Sequence, residues 1–128
     1  MTVKRFYDLE IWQIARELSK VVWEESNQGT LRNDFGLRDQ ANRSSGSIMD
    51  NIAEGFGRAG NKEFINFLSY SRGSCNELHS QVIRMLDREH ITYKIYQALI
   101  NDSNKLSVKI SNMMTYLKNS DLRGQKFK

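Results

Sequence analysis

The sequence predicts an all-α fold, an antiparallel up-down-up-down four-helix bundle, and three observations predict it. None of the 128 residues is proline, the residue that most reliably breaks a helix. Apolar residues recur every three or four positions in four long stretches, the period of a helix with one buried face. The connections between those stretches are short, which favours antiparallel neighbours.

Each element follows from its start and stop signals. Asp8 is placed to cap a first helix over about 8–26, with Phe6 or Tyr7 as its hydrophobic staple. Ile11, Ala15, Leu18 and Val22 form its apolar stripe, widened by Ile14 and Val21. Asn27-Gln28-Gly29-Thr30 reads as a loop. Asn33 or Asp34 caps a second helix over 34–57, which stops at Gly55–Gly57 and buries Leu37, Ala41, Ile48 and Ile52. After the turn Ala59-Gly60-Asn61, Asn61 caps a third helix over 62–89, carrying Phe64, Leu68, Cys75, Leu78, Val82 and Met85. Thr92 caps the fourth, over 93–119, with Ile95, Leu99, Leu106, Ile110, Met113 and Leu117 inside and a basic tail at 120–128. The whole chain reads as one domain.

Composition narrows the classes of function. The start lacks the apolar run of a secretory signal, and no stretch reaches the roughly 18 apolar residues of a membrane span, so a cytoplasmic protein is expected. One cysteine, Cys75, excludes an internal disulfide. The net charge of +4 is unevenly placed. From Ser103 onward Lys105, Lys109, Lys118, Arg123, Lys126 and Lys128 face only Asp121, so the rest of the chain is close to neutral. A single basic tail binds nucleic acid weakly, and several tails pooled by assembly bind far better.

Two patterns exceed the needs of a lone bundle. Trp12 and Trp23 lie on nearly one line at about 100° per residue, off the apolar stripe, with Arg16 between them as a cation–π partner. An interface between protomers favours such residues, so Trp12, Arg16 and Trp23 are candidate oligomer contacts, the edge of the core being the alternative. A weaker second face of Tyr96, Ile100, Ser107 and Met114 on the fourth helix also suggests a homo-oligomer. The second pattern is a band of small residues, Ser44 to Ser47 and Ser71 to Cys75. A hairpin turning near residues 59 and 60 sets Ser45 level with Ser74, and Gly46 level with Gly73. Glycine costs a helix interior about 1 kcal/mol relative to alanine, so close helix approach is the expected reason for both. The same levels put Asp50, Asn51, Glu54, Arg58 and Arg72 within reach of one another, as a polar network that sets register rather than an active site.

These residues carry a resemblance. Phe6-Tyr7-Asp8-Leu9-Glu10-Ile11-Trp12-Gln13, then Gln40, Arg43, Ser47-Ile48 and Asn51-Ile52-Ala53-Glu54-Gly55 come in order, followed by Glu63-Phe64, Phe67-Leu68, Arg72-Gly73-Ser74 and Glu77-Leu78. The chain resembles, over about residues 6–88, the four-helix-bundle proteins encoded in intervening sequences of bacterial 23S ribosomal RNA genes. It departs from them in lacking a proline in the first loop and another where Met49 stands. The resemblance implies a bundle that assembles as a ring, commonly a homopentamer. Kinship with the accessory protein of diversity-generating retroelements implies a basic oligomeric surface for nucleic acid and a protein partner. It does not imply a ribosomal component.

The leading expectation is therefore a non-enzymatic, homo-oligomeric scaffold that binds RNA or DNA by its backbone. Lys105 and Lys109 form one stripe with Asn101 and Asn112, extended by Lys118, Arg123, Lys126 and Lys128, with Arg43, Arg58 and Arg72 as secondary contacts. A protein-interaction module for a neighbouring gene product fits equally well. The enzyme alternative rests on Arg84 and His90, whose spacing is similar to the Arg-x(4–6)-His motif of HEPN ribonucleases, in which histidine moves a proton and arginine stabilises phosphorane charge. Cys75 and His79 share a helical turn but are too few to close a zinc site, and no glycine-rich phosphate loop follows a strand. No metal, cofactor or membrane contact is expected.

Overall fold

The computed structural model describes the backbone of residues 3–122 and the side chains of residues 3–120. Four helices account for most of them: α1 (Glu10–Ser26), α2 (Phe35–Phe56), α3 (Asn61–Asp87) and α4 (Tyr93–Leu122), with single 3-10 turns at Phe6–Asp8 and Leu31–Asn33. Side-chain pairs give the topology. Ser71 donates to the Ile48 carbonyl at 2.8 Å and Arg84 to Gln40 at 2.6 Å, so α2 and α3 run in opposite directions. Asn61 donates to the Leu117 carbonyl and Arg72 to Ser111, which makes α3 and α4 antiparallel in turn. Lys109 meets Glu10 at the start of α1, and Asn42 donates to Ser26 at its end. The helices thus alternate in direction around one core, and α1 and α4 form the slackest of the four seams.

The apolar stripes meet in that core. Ile11, Ala15, Leu18 and Val22 of α1 pack with Leu37, Ala41, Ile48 and Ile52 of α2. Leu68, Cys75, Leu78, Val82 and Met85 of α3 join Leu99, Leu106, Ile110 and Leu117 of α4, all buried. Ile95 and Met113 reach only the rim.

The ends of the helices differ from the expected caps. Asp8 does not cap α1; its carboxylate takes the Arg5 guanidinium at 3.0 Å, and Leu9 holds the capping position. Phe6 does supply an aromatic clasp, edge-on to Trp12 at 5.3 Å. Asp34 holds the capping position of α2 as expected, and its carboxylate is also shared with the α3–α4 turn: His90 and Arg88 favour its charge most, with the Leu37 backbone N–H adding to them. Asn61 is the first residue of α3 rather than its cap, because its amide is committed to α4. Thr92 caps α4, accepting from Ile95 N–H at 3.2 Å. α3 ends two residues early. Glu89 adopts φ 59° and donates to the Leu86 carbonyl while His90 donates to that of Met85, the paired bonds that close a helix through a left-handed residue. That conformation costs a side-chain-bearing residue about 1–2 kcal/mol.

Close approach occurs at a different glycine from the two expected. A side chain at Gly46 or Gly73 would meet nothing within 4 Å. At about 100° per residue each lies some 160° from the core positions Ile48 and Cys75, and so points outward. Gly55 is the buried one. A Cβ there would stand 2.6 Å from Phe67 Cβ and 2.9 Å from Phe64 Cδ1. It is therefore the contact that seats α3 on α2, and α2 ends within the expected Gly55–Gly57 run, with Phe56 its last residue and Gly57 its C-cap.

The two kinds of glycine predict opposite responses. Gly55→Ala should destabilise the bundle by about 1–3 kcal/mol, because Phe67 Cβ belongs to a rigid part of α3. Gly73→Ala should stabilise it by up to about 1 kcal/mol. Urea unfolding of the two variants checks both signs, and equal effects would contradict this packing.

Candidate nucleic-acid interface

The expected basic stripe is present on α4 in altered form. Lys105 is exposed and makes no ion pair among the described residues. Lys109 is half-buried in the slack seam, with Nζ 3.1 Å from Glu10 Oε1, so its charge is largely answered. Lys118 is exposed but leaves the line: thirteen residues beyond Lys105 puts it about 140° round the helix, toward α3. Lys94 takes its place. Eleven residues before Lys105, it falls within about 20° of the same line, is exposed and has no carboxylate partner among the described residues. The spacing that aligns Trp12 with Trp23 also aligns Lys94 with Lys105, and that signal was legible in the sequence. Asn101 and Asn112 continue the stripe, and Val108, 60% exposed, flanks it. Arg123, Lys126 and Lys128 lie outside the described residues.

The polar network is not assembled as expected. Arg58 binds Glu54 at 3.1 Å, approaches Glu63 at 3.9 Å, and lies 5.0 Å over the Phe67 ring. Asn51 donates to Ser47 within its own helix. Arg72 never meets Asp50. Ser71 and Ser74 face α2, which turns Arg72 away to Ser111 on α4 at 3.1 Å. Asp50 is exposed and in no ion pair among the described residues. Of the arginines considered for nucleic acid, Arg43 alone among the described residues is exposed and in no ion pair, on the α2–α3 side.

The two indoles differ. Trp12 is half-buried under Phe6, with the Arg16 guanidinium 5.8 Å above it. Trp23 is 57% exposed, beside Lys20, Glu24 and Asn42. It presents a large apolar surface of the kind that interfaces favour.

Arg84 and His90 are engaged by different partners. Arg84 donates to Gln40 on α2, while His90 is part-buried against the segment that leads into α2. His90 donates through Nε2 to Asp34 at 2.9 Å and meets Thr30 Oγ1 at 2.7 Å through Nδ1. Arg88 shares the same Asp34 oxygen at 2.8 Å. This cluster clamps the loop before α2 to the turn before α4. His90 and Arg88, in that order, hold the Asp34 carboxyl at about 2 against its ordinary 3.8. Burial pushes the Cys75 thiol up to about 12, which makes it an inert core group. Among the described residues no cluster of three metal-ligating side chains occurs, and no helix is long and apolar enough to cross a membrane.

The comparisons agree with this architecture. The sequence profile of the family described as 23S rRNA-intervening sequence protein matches residues 7–112. The fold is similar to that of a crystal structure of a protein with unknown function from the S23 ribosomal protein family of Bacteroides thetaiotaomicron. The TM-score is 0.74 at 21% identity, over 81% of this chain and 97% of that one. No curated protein matches the chain.

The Asp34 clamp gives a pH dependence of known sign. Its carboxyl is more acidic folded than unfolded, so its stabilisation is complete above about pH 4 and is lost as pH falls through about 2. The Tm of the wild type should exceed that of Asp34→Asn by a constant margin from pH 6 to 4, and the margin should shrink steadily below that. A margin that holds unchanged down to pH 2 would contradict the clamp.

Proposed function

The chain belongs to the 23S rRNA-intervening sequence protein family, and from that premise we propose that it is a non-catalytic helical scaffold that assembles with copies of itself and holds RNA or DNA by the phosphate backbone. The observation that carries this reading is the α4 stripe: Lys94 and Lys105 on one line, exposed and without carboxylate partners among the described residues, with Lys109 and two asparagines between and beside them. Backbone contacts need cations in a row and no aromatic readout, and they bind without regard to sequence. One stripe neutralises few phosphates. Assembly multiplies the stripes, and the exposed Trp23 and Val108 supply apolar surface for it. Resemblance to ring-forming proteins supports five as the number of copies we propose. Backbone contacts of this kind do not choose between RNA and DNA, and single-stranded RNA serves as the test polyanion. No enzyme activity is proposed.

Fluorescence anisotropy with a short single-stranded RNA tests the reading. Affinity should fall steeply between 50 and 200 mM salt, and Lys94→Gln with Lys105→Gln should flatten the log–log slope by roughly 0.7 per lysine on each engaged stripe. No binding at 50 mM salt, or a slope indifferent to both substitutions, would refute it.

A further inference from the structure

At the start of α4 an aromatic pair stands beside the lysine stripe, and phosphate contacts alone make no use of it. Tyr93 and Tyr96 are three residues apart, so they are neighbours on the helix surface. Their rings stack with centroids 5.7 Å apart and planes 28° from parallel. Tyr96 is half-buried and packs against the core, which makes it the fixed member of the pair. Tyr93 is still 62% exposed, so its ring face away from Tyr96 is open to solvent. The turn that carries both rings is held at its foot. The Thr92 hydroxyl accepts from Ile95 N–H at 3.2 Å and its carbonyl from Tyr96 N–H at 2.9 Å, and the Asp34 clamp grips Arg88 and His90 just before it. A single exposed aromatic is ordinary. One held flat by a second ring, with Lys94 as its next residue, is not. At about 100° per residue Tyr93 flanks the lysine line on the side where Ser111 meets Arg72 of α3. Gln97 and Asn101, both exposed, step from the ring toward that line at successive turns.

We propose that the open face of Tyr93 is a stacking platform for an unpaired nucleobase, which makes the α4 surface prefer single-stranded nucleic acid to duplex. A base laid on that face extends the two-ring stack by one member. The phosphates beside it then meet Lys94, and those further along meet Lys105, about 16 Å away on the same line. Every base has a π-face, so stacking adds affinity without adding sequence preference, and it serves RNA and DNA strands alike. A duplex shields both faces of each internal base between its neighbours, so it can reach the lysines but not the ring. The inference deepens the proposed function by naming the class of nucleic acid, and it rests on the reading of α4 as the binding face. Tyr70 of α3 shows what the platform requires. It is 58% exposed, but it meets Phe67 edge-on at 5.7 Å, and Arg58, which lies over Phe67, is engaged by Glu54 and Glu63.

Anisotropy of the full chain with a short oligouridylate and with an RNA duplex of the same length tests the platform. Tyr93→Ala should weaken single-strand binding roughly 5- to 100-fold and duplex binding by less than about twofold, with the salt slope unchanged because no cation is lost. Tyr93→Trp should bind the single strand at least as tightly as the wild type, and Tyr70→Ala should match the wild type on both. Both tyrosines are exposed, so circular dichroism should show all three variants folded. If Lys94→Gln weakens binding while Tyr93→Ala matches the wild type, the platform is overturned and the lysine stripe stands. Equal losses for strand and duplex on Tyr93→Ala also overturn it, because a change in shape or assembly lowers both together. No binding of either polyanion at 50 mM salt overturns the stripe and the platform at once.

Discussion

The fit of α3 onto α2 at Gly55 is the constraint on which the rest of the structure depends. Two aromatic residues of α3, Phe64 and Phe67, occupy the space that any side chain at Gly55 would need. Higher in the same seam the Ser71 hydroxyl reaches the Ile48 carbonyl, and Ser74 reaches Ser47. Together these contacts set the longitudinal register of the two helices. A slip of one residue would drive a Cβ into Phe67 and strand two buried hydroxyls, and each unsatisfied group costs roughly 1–3 kcal/mol.

The opposite side of the bundle is held more loosely. α4 is amphipathic with a narrow buried stripe, and its seam with α1 is closed by Lys109 and Glu10 at 3.1 Å, over half-buried Met113 and Ile14. Surface ion pairs of this kind contribute only about 0–1 kcal/mol. The helix that carries the lysine stripe is therefore anchored chiefly through α3, by Asn61, Arg72 and the Leu106–Ile110–Leu117 core. This division suits a scaffold: a rigid α2–α3 hairpin supplies geometry, and α4 displays charge.

The helices, their order and the apolar core were legible in the sequence, because the period of three to four residues is a property of the chain alone. Thr92 was also legible, since its hydroxyl has no competitor. Two other caps were misread for one reason. Asp8 and Asn61 are good capping residues locally, but Arg5 and the Leu117 carbonyl are neighbouring or tertiary partners that outbid the local backbone, while Asp34 holds its capping position and is shared with His90 and Arg88. The polar network failed similarly: level was inferred correctly from the hairpin, but facing direction was not, and Arg72 turned to α4. Lys94 was missed although its eleven-residue spacing from Lys105 was in view, and Lys118 was included although its spacing excludes it from that line. Gly46 and Gly73 drew the steric explanation that belongs to Gly55, whose Phe67 contact depends on the packed hairpin.

The central claim is that this fold works through a charged face of α4 rather than through a catalytic pocket. Lysine footprinting with an amine-reactive reagent, with and without single-stranded RNA at 50 mM salt, tests it most directly. The account predicts that RNA protects Lys94 and Lys105 while Lys20 and Lys62, on α1 and α3, react as before. Equal labelling of all four in the presence of saturating RNA, or protection centred on Lys20 or Lys62, would contradict it.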